Sequence, residues 1–283
     1  MGQIIVGEKI ALQEKVTYTI VSAVYPMQPE TGRGLFKVKS SRDGLYYALK
    51  VFDRALNAVP DIEREMVMLN NQNQHPHLFP RFRGAFQADG MACSVMDWME
   101  GSGFDQVTAD RAAGTLQDIR FRVRMLMSLC DSVDLLHRSR YWHRDLKPQN
   151  VLLRDPKDPG RGVVVIDFGM VAARRGKKEE GTRGYNAPEQ VDRRNMSLGA
   201  HTDIYALGQI GWYLLAGEPL YRDCNDDSND WSSAFIPLQE RLGEESALPE
   251  GLQEVLLKAM SFDPKKRHRL VRELKSELMR YSR

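Results

Sequence analysis

The sequence predicts an α+β protein in two parts, strand-rich first and helix-rich second. Three observations carry this. Short β-branched and aromatic runs bounded by turn residues dominate the first hundred residues. From about Thr115 onward, apolar residues recur at helical spacing. The stretch from Ile204 to Leu215 is apolar nearly all round, the mark of a helix buried on every side.

The elements follow in order. Val16-Thr17-Tyr18-Thr19-Ile20-Val21 reads as a strand. Gly34 to Lys39 and Leu45 to Phe52 read as a hairpin, its polar turn Ser40-Ser41-Arg42-Asp43-Gly44 ending in Asp-Gly. Pro60-Asp61 opens a helical pattern with Ile62, Met66 and Leu69 on one face and acids in the first turn, and His75-Pro76 closes the region. Met91 to Trp98 reads as a buried strand, and Gly101-Ser102-Gly103 as a hinge. Beyond Thr115, Ile119, Val123, Leu126, Cys130, Val133 and Leu136 form one helix face, with Arg120, Arg122 and Arg124 expected outside. Val255 to Met260 and Leu270 to Met279 read as terminal surface helices.

The 283 residues suffice for one large domain or two lobes with a real core. A formal net charge of +2 gives no pull toward nucleic acid or an anionic membrane, so neither partner is expected. No run approaches the ~18 apolar residues of a membrane span. The N-terminus, with Glu8 and Lys9 among isoleucines, does not read as a signal peptide. Met1-Gly2 resembles a myristoylation start, but Val6 stands where Ser or Thr is required. Cys93, Cys130 and Cys224 are widely spaced and make no metal-ligand pattern, which fits a reducing cytoplasm.

The chemistry lies in His143-Arg144-Asp145-Leu146-Lys147-Pro148-Gln149-Asn150. An acid, a lysine two residues on and an asparagine five residues on share one short loop. Phosphoryl transfer needs such a set: an acceptor for a hydroxyl proton, a cation beside the moving phosphate, and an oxygen ligand for a metal. Downstream, Val163-Val164-Val165-Ile166 runs as a buried strand into Asp167-Phe168-Gly169, and Ala187-Pro188-Glu189 follows. Upstream, Tyr47-Ala48-Leu49-Lys50-Val51-Phe52 puts Ala48 and Lys50 on one strand face. In this order and spacing the motifs resemble the eukaryotic-type Ser/Thr protein kinase family, from about Thr17 to the end, and the Pro-Glu-Gln ending resembles its bacterial members.

The resemblance implies a two-lobed kinase fold: an N-terminal extension over 1–16, a strand-rich N-lobe with helix C over 17–99, and a mainly helical C-lobe over 100–283. It implies ATP and Mg²⁺ as cofactors and protein substrates bearing Ser or Thr. Asp145 is then the base or the group that orients the acceptor hydroxyl, and Lys147 the cation on the transferring phosphoryl group. Asn150 and Asp167 are implied magnesium ligands. Lys50 is implied to hold the α- and β-phosphates, oriented by a carboxylate. Glu63 and Glu65 are the candidates, and Glu65-Met66-Val67-Met68-Leu69 before His75-Pro76 resembles helix C and selects Glu65. Ala48, Met96, Leu152 and the backbone of Asp97 and Met99 are implied nucleotide contacts, and counting back from Lys50 puts Leu35 and Phe36 close to the adenine-covering apolar position, with Phe36 taken as the contact. Gly32 and Gly34 are all that remains of the glycine loop. The ribose contact stays open between Ser102 and Asp105. Asp203 is implied to hold the His143-Arg144 backbone, and Glu189 to pair with Arg267.

Lys147 and Thr182, both implied to lie beside Asp145, point to the Ser/Thr branch. Glu179 or Glu180 is expected to supply a permanent anion for Arg144, the other reading being solvated acids balancing Lys177 and Lys178. Two alternatives to an active kinase stand. A pseudokinase is favoured by the eroded glycine loop and opposed by Lys50, Asp145, Asn150 and Asp167. A small-molecule kinase of the aminoglycoside or choline type is opposed by the Ala187-Pro188-Glu189 segment.

Overall fold

The computed structural model describes residues 9–11, 16–28, 32–52, 55–88, 90–109, 112–169, 182, 184–191, 197–220, 237–243 and 246–283. The chain divides into two compact units, Met1–Glu100 and Gly101–Arg283.

Among its described residues the first unit forms a six-stranded antiparallel sheet with one helix. In chain order it holds β1 (Lys9–Ala11), β2 (Thr17–Gln28), β3 (Arg33–Ser40), β4 (Tyr46–Phe52), α1 (Ala55–Asn71), β5 (Phe82–Ala88) and β6 (Met91–Asp97), and the sheet order is β1-β2-β3-β4-β6-β5. Period-two alternation sorts its side chains. Phe36, Val38, Leu49, Val51, Tyr18, Ile20 and Val95 form a core on one face. The opposite face carries the rows Leu35–Lys50–Ser94 and Lys37–Ala48–Met96, directly opposed across β3, β4 and β6.

Several expectations are corrected here. Residues 9–11, assigned to an N-terminal extension, pair with β2 as a sheet strand. β2 runs past Val21 through Pro26, which falls in a register irregularity between Tyr25 and Gln28 where a missing N–H is tolerated. Helix α1 starts at Ala55 rather than Pro60, with no acid in its first turn. The sequence reading took the proline as a first helical residue, but Ala55-Leu56-Asn57-Ala58-Val59 already have helical backbone. Strand β5 was missed because its side chains are only half-buried or exposed and Gly84, at φ 157°, interrupts it.

The second unit is mainly helical. It holds β7 (Ser102–Gly103), α2 (Phe104–Thr108), α3 (Leu116–Arg138), β8 (Val151–Leu153), β9 (Val163–Val165), α4 (Pro188–Val191), α5 (Ala200–Ala216), α6 (Leu238–Leu242), α7 (Leu252–Ala259) and α8 (Val271–Leu278). Ser102 and Gly103, expected as part of a hinge, instead pair with Leu153 and Leu152 in the small sheet β7-β8-β9. Gly101 has no room for a side chain: a Cβ there would lie 2.9 Å from Leu152 Cβ and from the Leu153 carbonyl oxygen.

Thr115 caps α3 by accepting from Asp118 N–H, and α5 is buried from Thr202 to Leu215. Arg122, expected outside, is 6 % exposed. Its guanidinium bonds Asp118 through Nε (2.9 Å) and Nη2 (3.1 Å), and Nη1 donates to the Leu214 carbonyl at 2.6 Å. It thus satisfies an orphan carbonyl in the last turn of α5.

Glu189 and Arg267 form a fully buried bidentate pair, at 2.7 and 2.8 Å. Arg267 also donates to the carbonyls of Ser261 and His201, and Thr202 Oγ1 donates to Glu189. Removing one partner strands a buried charge, which costs about 3–5 kcal/mol. Arg267→Met is therefore expected to lower unfolding stability in urea by about that amount, and Glu189→Leu/Arg267→Met by less, since the double change orphans no charge.

Candidate active site

In the first unit, Lys50 Nζ donates to Glu65 Oε1 at 2.6 Å. Lys50 is 6 % and Glu65 1 % exposed, whereas Glu63 faces solvent. Helical spacing decides between the two acids, because residues two apart on α1 point to different sides. Ala48 and Met96 share the sheet face of Lys50. Asp97 is fixed by Arg83, with Nε to Oδ1 at 2.5 Å and Nη2 to Oδ2 at 3.1 Å, and its N–H donates to the Arg81 carbonyl. Met99 is half-buried beyond the end of β6.

Phe36 is a correction. It was expected beside Ala48 and Lys50, but it is 1 % exposed on the opposite face, across from Leu49. Leu35, the other residue expected near the adenine-covering position, lies across from Lys50 on the Ala48 face. A one-residue offset in a strand reverses the face, and the glycine count that placed Phe36 cannot resolve one residue. Gly34 likewise lies inside β3, across from Val51, and not in a loop. Gly32 occupies the turn before β3 at φ 62°.

In the second unit the loop residues converge. Thr182 Oγ1 donates to Asp145 Oδ1 at 2.7 Å. Lys147 Nζ donates to Asp145 Oδ2 at 3.1 Å and to Thr182 Oγ1 at 2.9 Å. Asn150 Nδ2 donates to the Asp145 carbonyl at 2.9 Å. Ile166 N–H donates to the Asn150 carbonyl, extending the β8–β9 ladder by one pair, so Asn150 lies opposite Ile166, the residue that precedes Asp167. Leu152 is half-buried at the centre of β8. Asp145 N–H donates to His143 Nδ1, which puts the ring proton on Nε2, facing the Ile166 carbonyl at 3.1 Å. The His143 ring lies 5.0 Å from that of Phe168, which is fully buried.

Two non-glycine residues at this site have left-handed backbone, Arg144 at φ 66° and Asp167 at φ 62°. Such conformations cost roughly 1–3 kcal/mol each and need enforcement. Arg144 is clamped on both sides. Its N–H donates to Asp203 Oδ1 at 2.8 Å, and its carbonyl accepts from Gln190 Nε2 at 2.8 Å. Asp203 Oδ2 also accepts from His143 N–H (2.9 Å) and bonds His137 Nε2 (2.8 Å). Gln190 Oε1 in turn accepts from Ala187 N–H. Gln190 and His137 were missed by the sequence reading. Nothing in their spacing marks them, since each acts through a contact distant along the chain. The expected Arg144 partners, Glu179 and Glu180, lie outside the described residues.

Residues 30–279 match the sequence profile of the family described as protein kinase domain. The chain belongs to the protein kinase family. It is 27 % identical over 279 residues to calcium-dependent protein kinase 8 of Arabidopsis thaliana, covering 92 % of this chain and 50 % of that protein. Serine/threonine-protein kinase PknF of Mycobacterium tuberculosis is 28 % identical over 205 residues, covering 69 % and 41 %. CBL-interacting protein kinase 20 of Oryza sativa subsp. japonica is 31 % identical over 227 residues, covering 73 % and 47 %. The kinase chain thus spans about half the length of these curated relatives. The crystal structure of the Mycobacterium tuberculosis PknI kinase domain superposes over 99 % of both chains with a TM-score of 0.66 at 21 % identity, a likeness of fold: a strand-rich N-lobe followed by a helical C-lobe.

Burial alone would raise the Asp203 carboxyl. The hydrogen bond and charge of His137, the charge of His143 and the Arg144 N–H outweigh it and hold the group below the ordinary aspartate range. A carboxylate depressed on folding contributes stability that is complete above its unfolded value and is lost as pH falls through the folded one. Asp203→Asn is therefore expected to lower stability at neutral pH and to flatten its decline on acidification, read by thermal unfolding from pH 7 to pH 3.

Proposed function

We propose that this kinase domain transfers the γ-phosphoryl group of ATP to Ser or Thr hydroxyls of protein substrates. The observation that carries the reading is the cluster of Asp145, Lys147, Thr182 and Asn150, a carboxylate fixed on both oxygens beside a lysine ammonium. Asp145 orients the acceptor hydroxyl and takes its proton as the oxygen bonds to phosphorus and the bond from phosphorus to the β–γ bridging oxygen breaks, releasing ADP. Lys147 offsets charge on the transferring group. Lys50, oriented by Glu65, holds the α- and β-phosphates, and the Ala48 face with the backbone of Asp97 and Met99 takes the adenine.

The donor set fits magnesium. Among the described residues no three His, Cys, Asp or Glu side chains cluster as a complete metal cage. Asn150 and Asp167 instead offer two hard oxygen donors from the end of the β8–β9 ladder, a set that suits an ion completing its shell with phosphate and water. Asn150 spends its amide hydrogens on Asp145, which turns its Oδ1 to the ligand role. Magnesium held there would supply positive charge that offsets the charge of the phosphates. Retention of every member of this set favours catalysis over a pseudokinase. The buried thiols Cys93 and Cys130 suit a reducing, cytoplasmic setting. Among the described residues no helix is long and apolar enough to cross a membrane.

A radiolabelled-ATP assay with a generic protein acceptor tests the reading. Asp145→Asn and Asp167→Asn are each expected to lower kcat at least ~10²–10³-fold with the fold intact. Wild-type protein that binds ATP and transfers nothing establishes the pseudokinase instead. In the same assay Glu65→Gln is expected to lower activity strongly and Glu63→Gln to leave it near wild type; the reverse ranking contradicts the assigned role of Glu65.

A further inference from the structure

Ladder pairing ends at Asp97, so residues 98–100 have no strand partner, although the base-reading role of Asp97 and Met99 needs this backbone at a fixed place. One end of the segment is held by the Arg83–Asp97 pair. The other is held from β3. Lys37 Nζ lies 4.5 Å from the Trp98 ring centroid, 4.7 Å from the Tyr46 ring centroid and 3.4 Å from Glu100 Oε1. Lys37 is directly opposite Ala48, which is directly opposite Met96, so this cation extends the row of the proposed nucleotide face. Its ammonium, within cation–π distance of both rings, is partly shielded and binds them more firmly than an open surface cation would. The Glu100 contact adds little, because that carboxylate is 80 % exposed.

From these contacts we infer that Lys37 is a positioning residue for nucleotide recognition: it pins Trp98, and thereby sets the spacing of the Asp97 and Met99 backbone groups that select adenine. The inference rests on the proposed kinase reading. A loosened segment weakens base discrimination and leaves phosphate and magnesium contacts untouched, so KM and selectivity change while the chemical step does not.

The test is steady-state phosphotransfer by the full chain with ATP and with GTP as donors. Lys37→Met is expected to raise KM for ATP about tenfold, the scale of a shielded cation–π contact, and to lower the preference for ATP over GTP. Its kcat stays within about twofold of wild type, as for an interaction made equally in the ground and transition states. Lys37→Arg, which keeps the charge and stacks on rings, retains wild-type KM and selectivity. Tyr46→Leu, at the exposed end of β4, removes one ring and moves KM in the same direction by about two- to threefold, an independent arm if Lys37→Met does not fold. Wild-type KM and selectivity in Lys37→Met, or in Tyr46→Leu where that arm is used, overturns the inference alone. So does an equal loss for both nucleotides that Lys37→Arg fails to restore. A wild-type chain that uses neither nucleotide removes the kinase reading and this inference together.

Discussion

The left-handed backbone of Arg144 is the constraint on which the second unit's chemistry depends. Reversing the chain at this point lets one short loop present Asp145, Lys147 and Asn150 together. A bulky side chain does not hold that conformation unaided. Asp203 supplies the hold from the buried helix α5, and Gln190 supplies it from α4. The carboxylate is affordable in the interior because two backbone N–H groups and His137 satisfy it. Helix burial, loop strain and carboxylate placement are thus one coupled arrangement. The buried Glu189–Arg267 pair extends it, since Glu189 precedes Gln190 and also accepts from Thr202, next to Asp203.

The first unit reaches its geometry by a simpler rule. A sheet with one apolar core face leaves its other face to function, and the regular alternation of β3, β4 and β6 assigns their residues to one or the other. Lys50 is buried yet charged because α1 brings Glu65 to within 2.6 Å. The ion pair is costly to desolvate, which weakens it as a source of stability and favours a role in holding a ligand.

What was legible in the sequence had local causes. Strong periodicity marked α3, an unbroken apolar stretch marked α5, and the Asp43-Gly44 turn marked the β3–β4 hairpin. The loop residues were legible because their roles lie within a few positions of one another. The losses have physical reasons as well. Phe36 was assigned to the wrong face by a count back from Lys50 that left Leu35 and Phe36 both in place, and in a strand one residue reverses the outcome. Arg122 looked like surface charge because pattern cannot show that a guanidinium finds Asp118 and the Leu214 carbonyl inside. Gln190 and Lys37 act across 46 and 61–63 residues respectively, through contacts that only tertiary structure creates.

Hydrogen exchange across residues 141–147, comparing wild type with Asp203→Asn, tests the clamp most directly. The amides of His143 and Arg144 are predicted to be protected in wild type and to exchange much faster in the variant, while α3 amides keep their protection and phosphotransfer falls. Unchanged protection of this loop in a variant that has lost activity, or loss of loop protection with activity retained, would contradict the account.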